Sequence, residues 1–283
     1  MNINFNYSNN NKTTELKYGA NGVPYISYII LEKTGLVVQG FSTKLGGVSK
    51  EHLAELNLGY SRGDDPLNVT KNHEIIGDAI GFDYKDIVTT NQTHTTNVRV
   101  VTEDDRGKGI TCERDYSDVD GLVTNVKGLV LATYFADCVP LYFLDTKNKA
   151  IGLTHSGWRG TVGKIGKVTV ELMTKEYGTD PLDVIACVGP SICQKCYEVS
   201  EDVADEFKKS FAGQGEEILI DKGNGKFQLD LWEANRLVFL EAGIKEENIA
   251  ITDICTCCNK EYLFSHRGHN GMRGNLAAFM MLK

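Results

Sequence analysis

Residues 129–160, "LVLATYFADCVPLYFLDTKNKAIGLTHSGWRG", decide the fold. Three apolar runs, "LVLATYF", "PLYFL" and "KAIGLTH", follow one another with little between them. Each is short, rich in β-branched or aromatic residues and bounded by polar turn residues, so each reads as a strand. "DTKNK" between the last two reads as a hairpin turn. The stretch ends on a glycine-rich turn carrying His155, Trp158 and Arg159. Neither a core strand nor an ordinary surface turn calls for that combination.

Outward from this centre, strands and helices alternate. On the N-terminal side, "YISYII" and "LVVQGFS" read as strands separated by a turn at residues 32–35. A helix is expected over 69–80, where Ile75, Ile76, Ala79 and Ile80 share a face. "DIVTTNQTH" and "NVRVV" read as two strands around a polar turn. On the C-terminal side, helices are expected over 161–177, 201–211 and 231–242, the last with Asp230 as N-cap and Glu233 three positions on. "DVIACVG", "NIAITDI", "YLFSH" and "NLAAFMML" complete the strands. The order lacks a clean βαβ repeat, so the expectation is an α/β (mixed α+β) fold, a single domain with mixed sheets flanked by helices, and not a Rossmann fold or a barrel. The Asn-rich stretch 1–22 is expected to be a flexible N-terminal segment, leaving 23–283 as one catalytic domain.

Composition narrows the class. The chain has 283 residues with 41% hydrophobic and 24% charged content, the balance of a globular protein. A net charge of −8 disfavours nucleic acid and anionic membranes as partners. There is neither a secretory signal pattern nor an apolar run long enough to span a membrane, so a cytoplasmic location is expected. There the eight cysteines are expected as buried small residues or ligands, not disulfides.

Chemistry collects at strand ends. "VTTNQTHTTNV", "LATYFADCVPLYF" and "AIGLTHSGWRG" each run from an apolar strand into a polar turn, and they supply His94, Cys138 and His155. Two imidazoles and a thiolate are a sound ligand set for Zn²⁺ with a fourth position open. Taken singly, a His beside a strand is more often a hydrogen-bonded structural residue, and a Cys in "ADCVP" a small hydrophobe. Spacing alone leaves both readings open.

The motifs "NQTH", "DGLVTN", "ADCVPLYFLD", "THSGWRG", "VGPSICQKCYEV" and "FSHRG…GMRG" occur in the order found in the YfiH family. That family is also known as laccase-domain, multicopper polyphenol oxidase-like or peptidoglycan editing factor proteins. The chain resembles it from about residue 41 to 282. The resemblance implies a zinc-dependent purine nucleoside enzyme. The reactions implied are phosphorolysis of adenosine, inosine and S-methyl-5′-thioadenosine, together with adenosine deamination. It further implies His94, Cys138 and His155 as the metal ligands. Two positions depart from the pattern: Lys44 and Gly268 stand where the family usually has Arg, and Lys lacks the bidentate fork of Arg.

On this reading Asp137, beside Cys138, is a candidate proton carrier, although it is also suited to an Asx turn before Pro140. Lys44, Arg62, Arg159, Arg267 and Arg273 are candidates for binding phosphate, with Lys44 and Arg159 foremost. Asn57 and Gln92 are candidates for hydrogen bonds to sugar or base. The partners implied are small-molecule purine nucleosides and phosphate.

Three other readings are carried forward. A Cys138–His155 hydrolase or amidase, as in peptidoglycan precursor editing, would use a free thiolate. A laccase-type copper oxidase needs many His, whereas this chain has six and no H-x-H pair, although copper is an alternative occupant of the His–Cys–His set. A second, structural zinc could draw on "CQKC" (Cys193, Cys196) and "CTCC" (Cys255, Cys257, Cys258). Read as a strand, "CTCC" turns Cys258 away from Cys255 and Cys257, which counts against that site.

Overall fold

The structure is a computed structural model that describes residues 3–8, 12–214 and 218–283. Two six-stranded sheets form its centre. The first has the order β1 (Thr14–Tyr18), β2 (Pro24–Tyr28), β3 (Val37–Ser42), β15 (Leu276–Leu282), β7 (Val130–Phe135), β4 (Ile87–Thr89). The second has the order β14 (Ile249–Ile251), β10 (Val184–Val188), β8 (Val139–Asp145), β9 (Ala150–Ser156), β6 (Gly121–Thr124), β5 (Val98–Val100). A small third sheet orders β11 (Glu198–Ser200), β13 (Lys226–Leu229), β12 (Leu219–Gly223). Parallel and antiparallel pairs are mixed: β4 runs parallel to β7, and β15 antiparallel to both β3 and β7.

Alternation along the strands explains why their sequences are apolar on both faces. On β8, Val139, Leu141 and Phe143 pack outward, while Tyr142 and Leu144 pack between the sheets. On β15, Ala278, Met280 and Leu282 join the same inter-sheet core, while Ala277 and Phe279 face the opposite way. Successive side chains leave a strand on opposite faces, so a strand covered on both sides reads as a continuous apolar run. Helix α2 (Pro66–Ile80) covers the outer face of the first sheet through Ile76 and Ile80. Its start follows from Asp65, whose carboxylate accepts from Leu67 N, and from Pro66 in the first turn. Helices α4 (Ile165–Tyr177) and α6 (Leu231–Glu241) cover the second sheet through Ile165, Val170, Met173 and Phe239.

The expected strands over residues 129–160 are β7, β8 and β9, and the turn between β8 and β9 is held by Asp145 Oδ1, which accepts from Lys147 N and Asn148 N at 2.9 Å each. Other expectations need correction. The helix expected over 161–177 is two, α3 (Trp158–Val162) and α4, because Gly163 and the left-handed Lys164 (φ 58°) break the hydrogen-bond ladder between them. "YLFSH" lies in turns and a loop, although Leu263 and Phe264 are buried in the inter-sheet core. "YISYII" leaves the sheet at Ile29, where the four-residue helix α1 (Ile29–Glu32) begins. Helix α5 (Glu201–Ser210) matches its expected range closely. Of the segment 1–22, residues 1, 2 and 9–11 lie outside the described residues. The rest is not separate from the sheets: Thr14–Tyr18 form β1, paired with β2, and Phe5 is buried.

Candidate metal centre

The chain passes from the first sheet to the second at two corners close together. One joins β4 to β5 through the loop that carries His94. The other joins β7 to β8 through residues 136–138, which carry Cys138. His155 is the penultimate residue of β9, paired in register with Pro140 of β8. Three segments 44 and 17 residues apart in sequence are thereby drawn together by strand pairing, and the ligand atoms of His94, Cys138 and His155 lie within 4.8 Å of one another. His94 is exposed, Cys138 intermediate and His155 buried, so the group is set in the wall of the protein with one side open.

A residue not singled out for a role organises this group. Asp120, fully buried, accepts from His155 Nδ1 at 2.8 Å. It also accepts from the backbone N–H groups of Thr93 (2.9 Å), His94 (3.1 Å) and Thr95 (3.0 Å), fixing the loop that presents His94, where φ is +66°. An acceptor at Nδ1 keeps the proton there and leaves Nε2 as the free lone pair, the usual arrangement behind a ligating His. Burial pushes the Asp120 carboxyl up, but its bonds from His155 and from the Thr95 and Thr93 N–H groups outweigh this and hold it down at about 2. Cys138 and His155 shift each other as well. Burial raises the thiol, yet His155 and His94 pull it down to about 6. Burial lowers His155, yet Cys138 and Asp120 raise it to about 9.

Gly157 answers for one glycine of the "THSGWRG" turn. A Cβ there would sit 2.9 Å from His94 Cδ2 and 3.3 Å from Cys138 Sγ, so a side chain would intrude on the ligand group itself.

A cavity of about 430 Å³ opens on this centre, within the range of small-molecule sites. Tyr60, Arg62, Gln92, Arg114, Tyr134, Phe135, Arg273 and Asn275 line it together with His94, Cys138 and His155. Arg273 is largely desolvated; burial and its neighbour Arg62 lower its pKa to about 10. Its Nε is buried without a hydrogen-bond partner, a donor still to be satisfied. A smaller cavity of about 170 Å³ lies against His94 and Cys138 from another side, lined also by Asp137, Trp158, Arg159 and Tyr197.

The expected site residues divide accordingly. Arg159 lines the smaller cavity, its guanidinium 4.3 Å from the Trp158 ring, and Trp158 also packs on the core. Gln92 lines the larger one, but its amide is committed to Tyr134 O and Tyr134 N, each at 2.8 Å. Asn57 is fully buried, lines neither cavity, and binds Asp64 Oδ2, Gly59 and Asn275 N. Lys44 lines neither cavity; its ammonium donates to Lys260 O at 2.8 Å. Arg267 also lines neither, and its guanidinium donates to Cys196 O and Glu198 O at 3.0 Å each. Asp137 sits in a genuine turn (φ +88°), so strand alternation does not apply to it. Its two oxygens accept from Thr256 Oγ1 and Arg267 N at 2.7 Å, which anchors the turn that presents Cys138. Arg114, overlooked in the sequence, lines the larger cavity and donates to Thr89 Oγ1 and Thr90 O.

The "CTCC" segment is a turn, not a strand, and this reverses the expectation for its cysteines. Cys255 and Cys258 face the same way, Cys257 is left out, and the sulfurs of Cys193, Cys196, Cys255 and Cys258 lie within 4.8 Å of one another.

Among known proteins, residues 38–283 match the family model described as "Multi-copper polyphenol oxidoreductase laccase". The chain is 38% identical over 251 residues to the "Purine nucleoside phosphorylase YlmD" of Bacillus subtilis, covering 87% of this chain and 89% of that protein. It is 37% identical over 233 residues to "Adenosine deaminase RL5" from an unknown prokaryotic organism, covering 81% and 88%. The crystal structure of the Bacillus licheniformis hypothetical protein YfiH superposes with a TM-score of 0.87 at 33% identity, covering 92% of this chain and 96% of that one.

Proposed function

The chain belongs to the family described as multi-copper polyphenol oxidoreductase laccase, and from that membership we propose that it is a zinc-dependent purine nucleoside enzyme. Its reactions would be phosphorolysis of adenosine and inosine to base plus ribose 1-phosphate and of S-methyl-5′-thioadenosine to adenine plus 5-methylthioribose 1-phosphate, and deamination of adenosine, in the cytoplasm. The names of the Bacillus subtilis and RL5 relatives support the two reaction types. The observation that carries the reading is the convergence of His94, Cys138 and His155 on the wall of a cavity that also presents Arg62 and Arg273.

The donors fit zinc: two imidazoles and a thiolate held close together, one imidazole oriented by a buried carboxylate, one side left open. His94, Cys138 and His155 would hold it. Bound there, the ion would supply the Lewis acidity that hydrolytic chemistry at purine C6 calls for. The chain's own contribution is positioning. Asp120 keeps the proton on His155 Nδ1. Arg62 and Arg273 offer a cationic wall for phosphate. Arg159 offers a second cation on the far side of the ligands. Asp137, with both oxygens engaged, is assigned here to holding the Cys138 turn and not to proton transfer. Tyr60, Tyr134 and Phe135 give the cavity the aromatic surface a purine ring needs.

One observation favours a second reading. Without metal, a depressed Cys138 thiol facing a raised His155 that is backed by Asp120 has the layout of a Cys–His–Asp hydrolase. That reading corresponds to an amidase acting on peptidoglycan precursors. A four-copper oxidase is poorly served: among the described residues, the groups able to hold a metal contain only two His. Incubating the protein with each nucleoside, with and without phosphate and after chelation, separates the readings. Purine products that require zinc support the nucleoside enzyme. Absence of purine products under every condition overturns it, and full hydrolase activity in metal-free protein favours the thiol reading.

A further inference from the structure

We propose that Cys193, Cys196, Cys255 and Cys258 form a second metal site, a closed tetrathiolate centre that takes zinc and serves structure rather than turnover. The spacing is that of a structural site: two C-x2-C pairs, one in the turn after β10 and one in the turn after β14. Those strands are parallel neighbours, and the ladder continues past them. Thr252 N donates to Val188 O at 3.0 Å, and Thr256 N donates to Ser191 O at 3.1 Å, so the two knuckles arrive side by side.

The sulfur geometry is that of a single tetrahedral ion. Ligands at roughly 2.3 Å from a central zinc lie about 3.8 Å apart. Here Cys193 Sγ and Cys258 Sγ are 4.0 Å apart, and Cys196 Sγ and Cys258 Sγ 3.5 Å. A cubane cluster, which places each sulfur behind its own iron, would spread them further. Cys193 N and Cys258 N both donate to the Cys255 sulfur, at 3.2 and 3.4 Å, the kind of N–H···S bond that a metal-bound thiolate accepts. Soft thiolate donors in a tetrahedral set select zinc among common divalent ions. Cys258 is exposed at the edge of a surface cavity, which gives the ion an entry path.

The second knuckle also lies against the corner that carries Cys138, which is held by bonds that do not involve the cysteine side chains. Thr256, inside the second knuckle, donates to Asp137 Oδ1, and Ile192 N, beside Cys193, donates to Asp137 O at 3.0 Å. Both bonds fix the turn that presents Cys138.

The test is elemental analysis of the full-length protein purified with reductant and without chelator. Two zinc ions per chain are expected, falling to one both in Cys193→Ser/Cys258→Ser and, separately, in His155→Ala. Metal-free protein refilled with Co²⁺ should show intense thiolate-to-cobalt charge-transfer absorption that persists in His155→Ala. This readout does not depend on the cysteine variant folding. A zinc content of one in the parent protein, unchanged in the cysteine variant, would overturn the proposal. So would a Cys196–Cys258 disulfide in the reduced preparation. The measurement does not use nucleoside turnover, so it stands or falls apart from the proposed activity.

Discussion

The His94–Cys138–His155 group and the four-cysteine group are both compact sets of metal donors, yet they are built in opposite ways. The first draws single ligands from three distant segments at the corners between two sheets, and it opens on a cavity. The second draws two local pairs from adjacent turns, and every donor position is filled by protein. Closed sites of local pairs suit structure, and open sites of dispersed ligands suit chemistry. The difference gives each group its own signature: damage to the first should cost turnover and spare folding, and damage to the second the reverse.

The sharpest attack on that contrast is Cys138→Ala, which should abolish metal at the open site and lower nucleoside turnover by roughly 10³-fold or more. Its unfolding midpoint should stay within a few degrees of the parent. Asp120→Asn comes next. Loss of the carboxylate behind His155 should weaken zinc binding about 10–100-fold, read by competition with a chromogenic chelator. If affinity is unchanged, Asp120 is only a loop brace. Arg62→Ala should raise the KM for phosphate by about tenfold, as expected for one lost charge-assisted bond, while leaving adenosine deamination nearly intact. An equal loss in both reactions would place Arg62 elsewhere in the chemistry. Gly157→Ala should cost a few-fold to tenfold in zinc affinity, because the added Cβ must displace His94 or Cys138. The smallest effect on turnover belongs to Cys193→Ser/Cys258→Ser, expected within about threefold of the parent. That variant should nevertheless unfold roughly 5 °C lower, a loss of order 2 kcal/mol for a chain of this size.

Much of the frame was legible because local signals agreed with the final fold. Apolar runs bounded by turn residues marked β7, β8 and β9, and the Asp230 cap marked α6. What escaped depends on contacts distant in sequence. Thr14–Tyr18 looks polar and becomes a strand only through pairing with β2. The split between α3 and α4 turns on one residue, Lys164, adopting a left-handed conformation. Asp120 lies in an acidic turn-like stretch, and nothing local reveals that its carboxylate faces His155, 35 residues away. The cysteine pairs were misjudged by assuming strand alternation where the chain turns, which hid Cys255 and Cys258 as partners. Arginines gave a similar lesson. Lys44 and Arg159 stood foremost among the candidate cations, but Lys44 donates to a carbonyl and lines neither cavity, Arg159 lines only the smaller one, and the larger is lined by Arg62 and Arg273, also candidates, together with Arg114.

The open site should need its metal to act on purine nucleosides. The direct measurement is product analysis with adenosine and with inosine plus phosphate, on one preparation before chelation, after chelation and after zinc is restored. Free base and ribose 1-phosphate from inosine, and inosine from adenosine, are the expected products, lost on chelation and recovered with zinc. Purine products formed at an undiminished rate by the metal-free protein would contradict that requirement.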